Sequence, residues 1–301
     1  MRSLQDLVVA AGCVSARPDS VISLIDIIED PLVDAAKLVP IVQKDPGLTA
    51  GLLKLCNSPL YNFKRRIGTP HEALVMVGNL TFARLCFTLS LEPVLHRHLP
   101  AYNLDLDSLW QHSLGTAYGA AFLTKAAGRP ALRDRAFTAG LLHDIGKLAL
   151  DRELASPVEP GRGRGRRARH LDSSRSPVPV SLNSPSLSLE TERGRTGFDH
   201  AQVGAALLDS WELPEQIVAA VRWHHDPQEA PHESGLALAV DVADRVDHVV
   251  AGLSTVGQLF DQWISDTFPD PAIPRAAIRC LAETMGAKHG NILSLAMSPC
   301  L

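Results

Sequence analysis

Residues 134–153 read DRAFTAGLLHDIGKLALDRE, and the fold turns on how this stretch is taken. Phe137, Leu141, Leu142, Leu148 and Leu150 recur at helical spacing, so the stretch predicts a helical segment. At its centre stand His143 and Asp144. A neutral imidazole and a carboxylate are both good ligands for divalent transition metals, and adjacent residues can hold one ion from two sides. Lys147 follows one turn after His143. Its position suits either a point charge for a phosphate or a solvated lysine at a helix end.

Outward from this motif the chain continues as helices. LDSLWQHSLGTAYGAAFLTKAAG (106–128) predicts a helix in which Ala117, Gly119, Ala120 and Ala121 allow close packing, and it carries His112. FDHAQVGAALLDSW (198–211) starts a helix near His200, and LPEQIVAAVRWHH (213–225) ends one at His224 and His225. SGLALAVDVADRVDHVVAGL (234–253) carries Asp241 and Asp244. Towards the N-terminus, residues 18–100 read as short helices. Leu24, Ile27 and Ile28 keep helical spacing, Asp30-Pro31 starts a new segment, Asp45-Pro46 predicts an N-cap with proline at the first helical position, and Asn57-Ser58-Pro59 a stop. No run alternates like a strand between hairpin turns. The expected fold is all-α and two-lobed: a helical subdomain over 1–103, a second over 104–255, and a linker and helical tail over 256–301, with PRAAIRCLAETMGA (274–287) as the tail helix. That tail is expected to cover the bundle or serve a homodimer.

One stretch breaks the pattern. Residues 156–197 contain eight arginines, four acids and no Phe, Tyr or Trp, with many Ser, Pro and Gly. Such a segment buries too little apolar surface to order itself, so a disordered insertion is expected there. A linker, a lineage-specific insertion and an out-of-frame stretch all fit the composition. Its GRGRGRRAR run could meet RNA through phosphate charge, but no aromatic residue is interleaved for stacking. The whole chain carries a formal charge of −4, and the rest without this segment's surplus of +4 carries −8, so nucleic acid is not the expected partner. Lys64-Arg65-Arg66 is read as a solvated loop, and Trp211 and Trp223 as packing residues. Five scattered cysteines without CxxC spacing argue for a reducing compartment. Charged and polar residues interrupt the first apolar stretch too early for a secretory or membrane segment, so a cytoplasmic protein is expected.

Of 12 histidines, six (His112, His143, His200, His224, His225 and His248) fall in or near helices beyond residue 110 that also carry aspartates. The order His112, His143-Asp144, His200, His224-His225, Asp244 places ligand types in or beside separate helices, which is how bundle-core metal sites are built. Asp241 competes with Asp244 for the last place.

This order resembles the metal-binding signature of HD-superfamily phosphohydrolases in the arrangement of the HD-GYP subgroup. The stretches QKDPGLTAGLLKLCNSPLY (43–61), RRIGTPHEALVMVG (65–78), FTAGLLHDIGKLAL (137–150) and DHAQVGAALLDSWELPEQIVAAVRWHH (199–225) resemble, more narrowly, the HDOD domain. The resemblance implies an HD-like second lobe and a regulatory, signal-transducing role through contacts with a protein partner. By position, His112, His143, Asp144 and Asp244 match the four-residue HD set. His200, His224 and His225 match the ligands that let such sites hold a second metal, with Asp144 bridging. The implied cofactor is one or two divalent transition-metal ions, with Fe, Mn, Zn or Ni all compatible. The alternative implied function is a metal-dependent phosphohydrolase or phosphodiesterase on a nucleotide-type substrate, in which Asp144 and Lys147 would be the catalytic residues. After the double histidine the chain reads HHDPQEAPHES (224–234), without the Gly-Tyr-Pro stretch of the HD-GYP enzymes, which puts hydrolysis of cyclic di-GMP in doubt.

Overall fold

The computed structural model describes residues 3–10, 35–155, 187–231, 234–251, 258–267 and 272–287. The expected helix around Leu24–Asp30 and most of the Arg-rich stretch, 156–186, lie outside them. The described residues form α-helices and short 3-10 turns, and their only β-type pairing is the isolated bridge between Leu99 and Leu104. The fold is all-α, as the periodicity predicts.

Helices α2 (Val39–Lys44), α3 (Pro46–Cys56), α4 (Pro70–Val77) and α5 (Asn79–Leu95) form the N-terminal lobe. Capping chemistry sets their ends. The Asp45 side chain accepts from the Leu48 N–H with Pro46 in the first turn of α3, and Thr69 does the same for the Glu72 N–H at α4. Gly78, at φ +80°, turns the chain between α4 and α5, a conformation that side chains with a Cβ rarely adopt. Asn57 fixes the following loop by accepting from the Ile67 N–H and donating to the Ile67 and Leu53 carbonyls. Phe82, Leu85, Phe87 and Leu91 fill the lobe. The loop with Lys64, Arg65 and Arg66 is exposed, and Arg65 pairs with Glu72.

The second lobe comprises α6 (Ser108–Ala126), α7 (Arg133–Leu142), α8 (Gly146–Ala155), α9 (Leu189–Thr196), α10 (His200–Ser210), α11 (Glu215–Arg222) and α12 (Ser234–Ala251). The small residues on α6 act as expected. A Cβ added at Gly119 would lie 2.9 Å from the Ala243 Cβ, and one at Gly140 would lie 2.8 Å from the Ala117 Cα. Helices α7 and α12 therefore approach α6 almost to backbone contact, and this brings the helix faces carrying histidine and aspartate together. Helix α14 (Arg275–Ala287) covers α12 and α6 and packs against α13 (Gln258–Thr267), so the tail covers the bundle. Trp211 is buried, and Trp223 is half-buried beneath the Arg222 guanidinium.

Three departures from the sequence reading matter. The segment 134–153 is two helices, because the chain turns at His143–Ile145 between α7 and α8. Helix α1 (Leu4–Ala10) packs on α8 and α10 of the second lobe, although the sequence grouped it with the first. The expected disorder to residue 197 fails at its end. There α9 forms, started by a Ser188 cap on the Thr191 N–H and stopped by Gly197 in the left-handed region. Its Glu192 side chain is fully buried against His200, and Arg193 pairs with Asp199 at 2.6 Å, so polar contacts dock the helix.

Candidate metal centre

Each ligand-type residue sits where a helix begins, ends or faces the bundle interior. His112 lies in α6, and His143 caps the C-terminus of α7. Asp144 is in the turn that follows, and Lys147 is in the first turn of α8. His200 is the first residue of α10, behind an Asp199 capping box with Gln202. His224 and His225 form the turn after α11, and Asp244 is on α12. The turn at 143–145 is held close to α10: a Cβ at Gly146 would run into the His200 carbonyl oxygen and lie 2.6 Å from the Gly204 nitrogen.

The structure brings all eight predicted residues together. Asp144 Oδ1 lies 3.2 Å from His200 Nε2, while its Oδ2 lies 3.4 Å from His143 Nε2 and 3.6 Å from His112 Nε2. His112 Nε2 is 3.2 Å from His143 Nε2 and 3.1 Å from Asp244 Oδ1. On the other side of Asp144, His225 Nε2 is 2.9 Å from His200 Nε2, and the His224 ring stands 3.9 Å from that of His225, centre to centre. Asp241 turns away to pair with Arg245 at 2.6 Å, so Asp244 is the aspartate that joins the cluster.

What holds the rings is equally specific. His143 Nδ1 is 2.8 Å from the Gly140 carbonyl, and His224 Nδ1 is 2.7 Å from the Val221 carbonyl. A carbonyl only accepts, so these nitrogens carry the proton and leave each Nε2 with a lone pair. His112 Nδ1 meets Asp247 Oδ2 at 2.7 Å, and His200 Nδ1 meets both Glu192 carboxylate oxygens at 2.9 Å. Glu192 also accepts from the His200 backbone N–H at 2.7 Å. Every one of these four imidazoles is thus oriented by an acceptor behind it, the support pattern of metal-ligating histidines.

The electrostatics sort the histidines. Burial lowers His143 to about 4, and burial together with neighbouring imidazoles lowers His224 and His225 to about 3, so all three are neutral near pH 7. Burial also opposes charge on His112, but pairing with Asp244 and Asp247 outweighs it and raises this residue to about 10. For Asp144, burial opposes ionisation, yet His143, Lys147 and His200 hold it well below the usual carboxylate range. Lys147 is no solvated helix-end residue. Its side chain is 14% exposed, its Nζ contacts Asp144 Oδ2 at 2.5 Å, and the Tyr102 ring lies 5.8 Å away. Burial lowers its pKa, but Asp144 more than compensates, and the residue stays charged.

Among the described residues, three groups offer ligand atoms within 4.8 Å of one another: His112 with His143 and Asp144, His200 with His224 and His225, and His112 with Asp244 and His248. Donor chemistry supports the fit of a cation. His224 Nε2 is buried with no hydrogen-bond partner, and facing Nε2 atoms repel unless a proton or a cation lies between them. Sequence reading missed Glu192 and Asp247 and counted His248 among the histidines without giving it a place in the site. The last two had a signal, since positions 244, 247 and 248 share one helix face.

Comparison with known proteins places this architecture. The family profile of the HDOD domain matches residues 14–176 and 179–227. The chain belongs to the HDOD domain family. A curated relative, an uncharacterised protein of Treponema pallidum (strain Nichols), is 28% identical over 216 residues. The match takes in 72% of this chain but only 38% of the relative, so the HDOD chain spans well under half of that protein's length. Among solved structures, a protein of Shewanella amazonensis SB2B named as a candidate phosphohydrolase superposes with a TM-score of 0.67 at 20% identity, covering 97% of each chain. A protein of Marinobacter aquaeolei VT8 named as a candidate signal transduction protein gives 0.62 at 20% identity, covering 94% of this chain and 59% of its own. At that identity the two structures speak for the fold. Among the described residues no helix is long and apolar enough to cross a membrane.

Proposed function

We propose that this HDOD protein is a cytoplasmic regulator that acts through contacts with a signalling protein and is built around a centre for divalent transition-metal ions. One observation carries the metal centre: four imidazoles, each oriented from behind at Nδ1, aim Nε2 at the surroundings of a single carboxylate, Asp144. One ion would be held by His112, His143, Asp144 and Asp244, and a second by Asp144, His200, His224 and His225. Imidazole-rich sites suit Fe, Mn, Zn and Ni. Such ions, when bound, lower the pKa of a coordinated water and polarise phosphoryl oxygens. The chain's own residues orient rather than expose the site: His143, His224 and Asp144 are buried, and Lys147 stands beside the shared carboxylate. A walled site favours a structural or sensory role over turnover.

A second reading is a metal-dependent phosphohydrolase on a nucleotide-type substrate. The complete ligand set and the charged Lys147 favour it, as does the name of the Shewanella protein. Elemental analysis of purified wild type and Asp144→Ala, with circular dichroism as a folding control, tests the centre. One or two equivalents of metal in wild type and none in the folded variant are expected. No metal in wild type after reconstitution would remove the centre from the proposal. A panel of phosphomonoesters and phosphodiesters then separates the readings: no turnover by the loaded protein is expected of a regulator, and turnover lost in Asp144→Ala would establish the hydrolase.

A further inference from the structure

The metal centre lies in the second lobe, yet the first lobe carries a cavity of about 310 Å³ beside the loop that follows α3. Asn57, Ser58, Phe63, Lys64, Arg65 and Arg66 line it, and no acid does. Arg65 pairs with Glu72 at 3.2 Å, whereas among the described residues Lys64 and Arg66 meet no carboxylate. Three adjacent cations repel one another, and in a chain of formal charge −4 they are not the overflow of a basic composition. The loop that bears them is fixed. Asn57 accepts from the Ile67 N–H at 2.8 Å and donates to the Ile67 carbonyl at 2.9 Å, Ile67 is buried, and Glu72 accepts from the Gly68 N–H at 2.7 Å. Asn62 is held in the left-handed region at φ +45°, a backbone state that gathers at ligand clamps. Groups that would oppose an anion are quenched. The Leu53 and Leu55 carbonyls at the end of α3 accept from the Asn57 and Ser58 N–H groups, and burial pushes the Cys56 thiol on the cavity wall up to about 11, so it is uncharged. One wall is apolar: Phe63 is half-buried and stacks on Tyr61 with ring centres 5.6 Å apart.

We propose that this cavity binds a small phosphate ester with a planar organic part, of the nucleotide type. Lys64 and Arg66 take the phosphate, and the Phe63 wall takes the ring. Phosphate oxygens accept charge-assisted hydrogen bonds from guanidinium and ammonium groups, and the volume matches the lower end of small-molecule pockets. An acidic protein segment would meet a broad surface, whereas here the cations rim a concavity. The site is separate from the metal centre and does not depend on it, and it gives a regulator a second input.

The test uses the full chain freed of metal by chelation and dialysis. Isothermal titration calorimetry at about 0.1 M salt compares inorganic pyrophosphate, adenosine diphosphate and a hexaglutamate peptide. They are titrated into wild type, the double variant Lys64→Gln with Arg66→Gln, and Phe63→Leu, with circular dichroism as a folding control. Lys64 and Arg66 are exposed, so their replacement leaves the fold intact. Wild type is expected to bind adenosine diphosphate more tightly than pyrophosphate or the peptide. The double variant should weaken both phosphate ligands about a hundredfold, about tenfold for each cation removed. Phe63→Leu should keep pyrophosphate binding and lose only the advantage of adenosine diphosphate. Equal binding by wild type and the folded double variant would put the anion elsewhere and overturn the proposal. Hexaglutamate bound as tightly as adenosine diphosphate would make the loop a docking surface for acidic proteins and overturn it too. So would adenosine diphosphate bound no more tightly than pyrophosphate, or neither bound by wild type. None of these results touches the metal centre, which is read by metal content.

Discussion

Replacing Glu192 with alanine should damage the protein in two separable ways. This side chain is fully buried, and it accepts one hydrogen bond from the His200 backbone and another from its ring. Removing it leaves the buried His200 backbone N–H and ring N–H without an acceptor, a loss of about 3–5 kcal/mol at roughly 1–3 kcal/mol per orphaned donor. For a chain of this size each kcal/mol moves the melting temperature by about 2 °C, so a fall of roughly 6–10 °C is expected. Glu192→Gln keeps the volume and one acceptor oxygen and should lose about half as much. The second effect concerns His200. Without its anchor the ring loses orientation, and metal affinity should drop about ten- to hundredfold. Thermal denaturation of the chelated proteins isolates the first effect, and competition against a chromophoric chelator measures the second. If Glu192→Ala melts within about a degree of wild type and binds metal equally well, then α9 does not hold His200.

Other expectations follow from single features. Gly146→Ala would drive a methyl group into the His200 carbonyl, which is backbone and cannot rotate away, so a loss of about 1–3 kcal/mol and lower metal content are expected by urea titration and elemental analysis. Burial raises Asp241 to about 6 despite Arg245, so the fold carries an extra proton between the ordinary carboxylate range and pH 6. Its stabilising contribution is present at low pH and lost as pH rises through 6. Urea midpoints of Asp241→Asn should therefore improve relative to wild type from about pH 4 to 6 and stay level above; parallel profiles would refute the assignment. Chelation should lower the melting temperature of loaded protein, since metal at about a hundred times its dissociation constant adds roughly 2.7 kcal/mol, and a melting curve indifferent to chelator would count against the centre.

Much of this could be read from the chain because local chemistry and global packing agree. Asp45 and Asn57 bound α3 where the sequence puts a cap and a stop, and the small residues of α6 mark the close crossing that gathers the histidines. The eight site residues lay in order along the helices, and the fold brings them together. What escaped was decided by single contacts. Glu192 follows an Arg-, Ser- and Pro-rich run that fails on apolar content, and its helix is held by polar contacts, the buried Glu192 carboxylate on His200 and Arg193 on Asp199, which composition does not register. The Ser188 cap, the acids in the first turn and Gly197 after the last were the available signs. A solvated helix-end Lys147 stayed open beside a phosphate-facing one because apolar spacing runs on through the turn at 143–145, where Gly146 lies against α10.

Asp144 lies between two sets of imidazoles, so in the proposed centre two ions would be thermodynamically interdependent. A cation bound on one side fixes the carboxylate and withdraws its charge from the other, so filling either position changes the affinity of the second by the same factor in both directions. Lys147, already paired with one oxygen of that carboxylate, acts as a resident competitor in this balance. In a protein with that centre, one side chain would set how steeply occupancy follows metal concentration.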